Sequence, residues 1–131
     1  MQESQVRNHI RKLYGDRVFW HEQSKGSSHG FPDTSIEFNS ILVPVELKVA
    51  NITNLTLNDE PHTIFRPSQF AVFHQFRTLN ITAFAIFGHK GPPLKPTHPA
   101  FAFCKTADIL EAHSSGKRSK LVSAEAGLSF T

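Results

Sequence analysis

The sequence has little of what would indicate a secreted or membrane protein. Its 131 residues include one cysteine, Cys104, so no disulfide can form within the chain, which is typical of a reducing compartment. No apolar run approaches membrane-spanning length, and no internal repeat is present. The first residues are polar and charged, unlike a signal peptide. We therefore expect a cytoplasmic protein without a membrane partner.

What the sequence does contain is a modest basic excess. The formal net charge is +3 and the pI is about 9.3. Such an excess favours an anionic partner such as DNA, although solubility alone also explains it. The length is that of one domain with a hydrophobic core, and we expect residues 1–131 to form a single unit.

The apolar periodicity predicts alternating helices and strands. Helices are expected at 2–14, 67–79 and 106–113, strands at 17–23, 33–38, 41–49, 81–87 and 100–104, and a long loop at 51–66. We therefore predict an α/β fold with a mixed sheet of four or five strands flanked by helices. The core is expected to span about residues 1–113, with 114–131 as a flexible tail.

The segment from Gly30 to Lys48 carries the chemistry. Asp33 opens one strand, Asn39-Ser40 is a plausible hairpin turn, and the returning strand contains Glu46 and Lys48. Glu46 and Lys48 are two residues apart, so they project to the same face of the strand. If the strands pair, Asp33 lies beside Glu46. A hard divalent cation would relieve the repulsion between these carboxylates, and a neighbouring lysine would orient a water or offset phosphate charge.

Pro44 complicates this strand because it has no amide hydrogen to donate to a ladder. Either the first half of the strand lies at an edge of the sheet, or a bulge occurs there.

The order of these motifs resembles the PD-(D/E)XK nuclease superfamily, most closely its VRR-NUC and Holliday-junction-resolvase-like branches. The resemblance covers residues 1–90 and depends on Gly30-Phe31-Pro32-Asp33, Glu46-Leu47-Lys48 and Ser68-Gln69 at a helix start. It implies a restriction-endonuclease-like core and metal-dependent hydrolysis of DNA.

The resemblance also implies roles for individual residues. The catalytic residues would be Asp33, Glu46, Lys48 and Gln69, and Mg²⁺ or Mn²⁺ would be held by Asp33, Glu46, the Leu47 carbonyl and Glu3. Two alternatives stay open: Glu3 as a frayed terminal residue in water, and Gln69 as a buried amide bonded to backbone.

Contacts with DNA are expected from Lys25 and Ser27 in the loop before the motif, and from Arg66 before the second helix, although such residues also occur in ordinary solvated loops. The resemblance favours a branched or junction DNA substrate, and symmetric cutting of a junction would require a homodimer. Two other classes remain open. One is an end-processing or phage DNA maturation nuclease, and the other is a non-enzymatic DNA-binding or structural component that retains the fold.

Overall fold

A computed structural model of the protein describes residues 1–21, 30–91 and 100–124. These residues form four α-helices and eight strands: α1 (Glu3–Tyr14), β1 (Val18–Trp20), β2 (Thr34–Phe38), β3 (Ile41–Ala50), β4 (Ile52–Thr53), β5 (Thr56–Leu57), α2 (Pro61–Ile64), α3 (Pro67–Thr78), β6 (Phe84–His89), β7 (Phe101–Lys105), α4 (Thr106–Ser115) and β8 (Val122–Ser123). None of these described helices has both the length and the apolar character needed to cross a bilayer.

The α/β class is confirmed, but the sheet is larger than expected. Six strands form a mixed sheet in the order β1-β2-β3-β6-β7-β8, whereas β4 and β5 form a separate hairpin. The crossover through α3 returns β6 parallel to β3, as a helix between two strands predicts. The other neighbouring pairs of the six-stranded sheet are antiparallel.

The predicted hairpin turn between β2 and β3 is confirmed. Asn39 and Ser40 have φ values of 50° and 67°, the left-handed values that the central residues of a type I′ turn require. From this turn the β2–β3 register runs without interruption to Thr34 opposite Val45.

Pro44 lies where an edge position makes its missing amide hydrogen tolerable. It is opposite Ser35 of β2, while the ladder with β6 begins one residue later, at Val45 opposite Phe84. The first half of β3 is therefore at an edge on the β6 side, and the register contains no bulge at this point.

The helices cover the two faces of the sheet and enclose two apolar clusters. On one face α1 packs Val6 and Ile10 against residues such as Leu47 of β3. On the other face α3 and α4 cover the sheet, with Phe73 and Ile109 among their buried residues. Because neighbouring strand residues alternate between faces, Glu46 and Lys48 project away from Leu47 and towards the α3 side.

The sequence predicts an apolar stripe of Val6, Ile10, Leu13 and Tyr14 on the first helix, and one of these residues is placed differently. Val6, Ile10 and Tyr14 are buried at spacings of four residues, but Leu13 is 37% exposed. The three buried residues form one line along the helix, and Leu13 lies to the side of that line, so its predicted burial is wrong.

The predicted loop at 51–66 and the predicted tail after 113 also require correction. Residues 51–66 include the β4–β5 hairpin and α2, with Ile52 and Leu57 buried in the core. Within the predicted tail, residues 114–124 complete α4 and add β8 beside β7, burying Leu121 and Ala124, while residues 125–131 lie outside the described residues. The sequence indicates Thr106 as a plausible cap of the last helix, but α4 has Lys105 at its N-cap. Short elements with few apolar residues have little periodicity, which explains why pattern analysis missed them.

Candidate active site

A cleft lies where β2 and β3 separate. Their ladder ends at Thr34 opposite Val45, whereas β3 continues beside β6 as far as Ala50 opposite His89. The separation leaves one edge of β3 open next to Asp33. The cleft has a volume of about 350 Å³ and is lined by Glu3, His21, Phe31, Asp33, Glu46, Lys48, Arg66 and Gln69. Six of these eight residues were predicted as site residues.

Glu46 is the most unusual group in the cleft because it is a charged residue that is only 8% exposed. Its Oε1 accepts a hydrogen bond from Gln69 Nε2 at 3.0 Å and lies 3.9 Å from Lys48 Nζ. Burial raises the pKa of Glu46 to about 7; Asp33 and Glu3 add to this increase, and Lys48 and Arg66 oppose it. The cleft therefore holds a carboxyl group that titrates near neutral pH.

Gln69 fixes the orientation of that carboxyl group. It is the third residue of α3 and 3% exposed, and its Oε1 accepts the backbone N–H of Arg66 at 2.9 Å. This bond satisfies a donor at the helix start and leaves the amide nitrogen to donate to Glu46. The side chain thus bonds to backbone and to the predicted catalytic carboxylate at once.

Lys48 is held between an acid and an aromatic ring. Its side chain is 21% exposed, and its Nζ lies 5.8 Å from the centre of the Phe65 ring. Contact with the ring and with the Glu46 carboxylate restricts the position of the ammonium. The arrangement offers a fixed positive charge to any anion that enters the cleft.

Asp33 contributes a second carboxylate that is more accessible. Its Oδ2 accepts a hydrogen bond from Arg7 at 2.7 Å, and its Oδ1 accepts a weaker one from Thr34 at 3.3 Å. Its backbone oxygen accepts the N–H of His21 at 2.7 Å, which ties the residue to the end of β1. Residues from three separate segments therefore hold Asp33 at the edge of the cleft.

Sequence analysis missed Arg7 and His21 as residues of this region. Arg7 lies four residues after Glu3, so the two share a face of α1, and this spacing was the available signal. His21 contacts Ser35 Oγ through Nε2 at 2.8 Å and lines the cleft. Neither contact is encoded in a local pattern, because each partner comes from a distant part of the chain.

Gly30 allows the segment before Asp33 to pack against the start of α3, the helix that carries Gln69. It has φ +74°, and a Cβ at this position would lie 2.1 Å from the backbone oxygen of Ser68. Only glycine permits this close approach between the segment before Asp33 and the first turn of α3. The glycine of the Gly-x-Pro-Asp motif thus joins the two walls of the cleft.

The remaining predicted residues differ in their placement. The Leu47 side chain is 1% exposed and lies on the opposite face, so its predicted role concerns the backbone carbonyl alone. Glu3 is exposed in the first turn of α1, where the helix dipole favours an acid. Arg66 is exposed at the rim of the cleft. Lys25 and Ser27 fall outside the described residues.

The carboxylates suit a hard divalent cation in number and chemistry. Within residues 1–21, 30–91 and 100–124, no three His, Cys, Asp or Glu side chains group closely enough to enclose a metal. Mg²⁺, however, is typically held by one or two carboxylates together with waters and phosphate oxygens. Asp33 and Glu46 supply such a pair, and their mutual repulsion contributes to the raised pKa of Glu46.

Comparison with known proteins adds no assignment. Neither the models of known protein families nor the curated proteins include a match to this chain.

Proposed function

We propose that the protein is a metal-dependent DNA endonuclease of the PD-(D/E)XK type, with a restriction-endonuclease-like core, that hydrolyses phosphodiester bonds in branched DNA. The observation that carries the proposal is the convergence of Asp33, Glu46, Lys48 and Gln69 on one cleft. Two carboxylates from neighbouring strands, one of them buried beside a lysine, match the donor set that phosphodiester hydrolysis needs.

In this proposal each residue has a role that follows from the chemistry of its side chain. Asp33 and Glu46 would hold Mg²⁺ or Mn²⁺, with the Leu47 carbonyl and Glu3 as further oxygen ligands. A bound cation would polarise a phosphoryl oxygen and lower the pKa of a water. Lys48 stabilises the negative charge that develops on the phosphate and orients the attacking water, because its ammonium is fixed beside Glu46.

Gln69 acts through Glu46 rather than on the substrate. Its amide donates to Oε1 and is itself fixed by the Arg66 backbone, so the carboxylate is held in one orientation. Arg66 at the rim would contact a phosphate, and the +3 net charge supports an anionic partner. A branched substrate and a homodimer, with one site for each strand, complete the proposal.

The test is a cleavage assay with Mg²⁺ on four-way junction, flap, single-stranded and linear duplex DNA. We expect cutting of junction or flap DNA in preference to linear duplex. Asp33→Asn should reduce the cutting rate at least about a hundredfold while DNA affinity changes only a few-fold. Asp16→Asn is the matched control, because Asp16 is an exposed aspartate in the turn after α1.

Three outcomes separate the candidate functions. Preferential cutting of linear ends would favour an end-processing nuclease. Binding of DNA without cutting of any substrate would favour a non-enzymatic component. Undiminished cutting by Asp33→Asn would contradict the assignment of this cleft.

A further inference from the structure

Arg7 links the candidate metal site to the single tryptophan of the chain. One of its guanidinium nitrogens donates to Asp33 Oδ2 at 2.7 Å, and its Cζ lies 5.0 Å from the centre of the Trp20 ring. Arg11, one turn further along α1, lies over the same ring at 4.8 Å. Trp20 is paired with Thr34 in the β1–β2 ladder, so its backbone lies beside the residue that follows Asp33.

The ion pair between Arg7 and Asp33 is accessible and therefore easily exchanged. The two side chains are 36% and 34% exposed, and ion pairs with this degree of solvation contribute little to stability. A divalent cation that approaches Asp33 competes directly with the guanidinium, because both would bind the same carboxylate.

Charge balance around the cleft also favours an exchange. Three acids, Glu3, Asp33 and Glu46, face Lys48 and Arg66, and Arg7 supplies the third positive charge. A divalent cation adds two positive charges to this balanced set, and the departure of one resident cation would reduce the resulting excess. Of the resident cations, Arg7 is the one that is hydrogen-bonded to a proposed metal ligand and also half-exposed.

We propose that Arg7 is a resident counter-ion of Asp33, that a divalent cation displaces it, and that the freed guanidinium then binds a DNA phosphate beside the cleft. This inference depends on the proposed function. A guanidinium suits both partners, since its planar set of donors matches carboxylate and phosphate oxygens equally well. The exchange would couple metal binding to DNA binding through one side chain.

The first test compares Mg²⁺ affinities by titration calorimetry without DNA. Arg7→Ala should bind Mg²⁺ about two- to fivefold more tightly than wild type, because the competing ion pair is removed. Arg11→Ala is the matched control: it loses the same charge and the same Trp20 contact, whereas the bond to Asp33 comes from Arg7. Circular dichroism verifies that each variant is folded, and Arg7→Lys, which keeps the charge, should have an intermediate affinity.

Trp20 provides an independent reading of the exchange. It is the only tryptophan in the chain, so its emission reports the movement of Arg7. We expect Mg²⁺ to change the emission of wild type and of Arg11→Ala, and to leave that of Arg7→Ala nearly constant. Equal Mg²⁺ affinities of Arg7→Ala and Arg11→Ala, or a constant wild-type emission while calorimetry detects binding, would overturn the inference.

The second test concerns the phosphate contact. In a Lys48→Ala background, which keeps both carboxylates while stopping cleavage, Arg7→Ala should weaken DNA binding with Mg²⁺ but not with a chelator. The salt dependence of binding with Mg²⁺ should decrease by about one counterion. An equal loss of affinity in both conditions would overturn the exchange.

These results separate the inference from the proposed function. If Asp33→Asn abolishes Mg²⁺ binding and cutting while Arg7→Ala behaves as Arg11→Ala does, the inference fails and the nuclease assignment stands. If wild-type protein binds no Mg²⁺, both fail.

Discussion

The two halves of β3 pair with different neighbouring strands, and the surfaces along their open edges differ in polarity. The first half, residues 41–44, pairs with β2 and faces an apolar groove of about 500 Å³ along its other edge. The second half, Glu46–Ala50, pairs with β6, and its other edge opens on the polar cleft beside Asp33. Val45 belongs to both ladders. The offset between the two neighbouring strands therefore creates two different surfaces along one strand.

The two surfaces reverse the usual distribution of polar and apolar residues. Ile41 and Leu42 are 53% and 51% exposed, whereas Glu46 is only 8% exposed. Exposed apolar residues are common and cost little, but a buried carboxylate is costly unless it is paired and hydrogen-bonded. The Gln69 and Lys48 contacts offset part of that cost. This contrast is what the proposed function predicts, because a catalytic carboxylate in the second half of β3 would be kept in place despite the cost of its burial.

The largest expected effect comes from separating the walls of the cleft. Gly30→Ala should lower the free energy of unfolding by about 3 kcal/mol or more, because the new Cβ meets the Ser68 backbone at φ +74°. Gly116→Ala is the matched control, with φ +73° but open space around its Cβ, and should cost only about 1 kcal/mol. Urea denaturation measures both. Equal losses of unfolding free energy in the two variants would mean that the close approach of Gly30 to α3 does not contribute to stability.

The next effect is the pH dependence that Glu46 imposes on stability. Its pKa rises from 4.5 to about 7 on folding, so the native state binds more protons between these values. Without divalent cations, the stabilisation linked to Glu46 is complete below pH 4.5 and is lost as the pH rises through about 7, by up to about 3 kcal/mol.

Glu46→Gln should remove this fall, and at pH 8 the variant should be at least as stable as wild type. Urea denaturation from pH 4 to 8 tests it, with Glu111→Gln, an exposed glutamate of α4, as the control. A Glu46→Gln protein whose stability keeps the wild-type pH profile would show that Glu46 is not the buried titrating group.

A smaller effect is expected from Gln69→Leu. The variant leaves Glu46 Oε1 and the Arg66 N–H without their amide partner, which should cost about 2 kcal/mol of unfolding free energy. Gln75→Leu on the exposed side of α3 should change stability by less than about 0.5 kcal/mol. Should the two variants prove equally stable, the two hydrogen bonds of the Gln69 amide do not contribute to the free energy of unfolding.

The smallest effect is predicted for the apolar half of β3. Leu42→Thr keeps a β-favouring residue at an exposed position and should change stability by less than about 0.5 kcal/mol, with cutting unchanged. Denaturation and the cleavage assay check both quantities. A marked loss of cutting would mean that the apolar groove takes part in the activity. The claim that only the second half of β3 serves the activity would then be wrong.

The parts of the fold that sequence analysis predicted are those with local signals. The Asn39-Ser40 turn, the helix expected at 67–79 and the projection of Glu46 and Lys48 to one face all follow from residue types at fixed spacing. The β4–β5 hairpin and β8 lacked such a signal, because each strand is only two residues long. Their positions depend on which apolar residues the rest of the core leaves space for.

The candidate site shows the same division. Asp33, Glu46 and Lys48 could be predicted together because the hairpin turn returns β3 beside the segment that starts at Asp33. Arg7 and the Gly30–Ser68 contact were not, because they join segments 26 and 38 residues apart through a side chain and a close backbone approach. Interactions of this kind depend on three-dimensional packing: the spacing of Arg7 from Glu3 indicates a shared helix face, but not the distant partner.

The most direct test of the central claim is the location of a bound divalent cation. Crystals of the wild-type protein grown with Mn²⁺ allow the ion to be located by anomalous diffraction. We predict one ion that contacts the carboxylates of both Asp33 and Glu46, with Arg7 withdrawn from Asp33. A manganese ion bound elsewhere, or one that contacts neither carboxylate, would contradict the account.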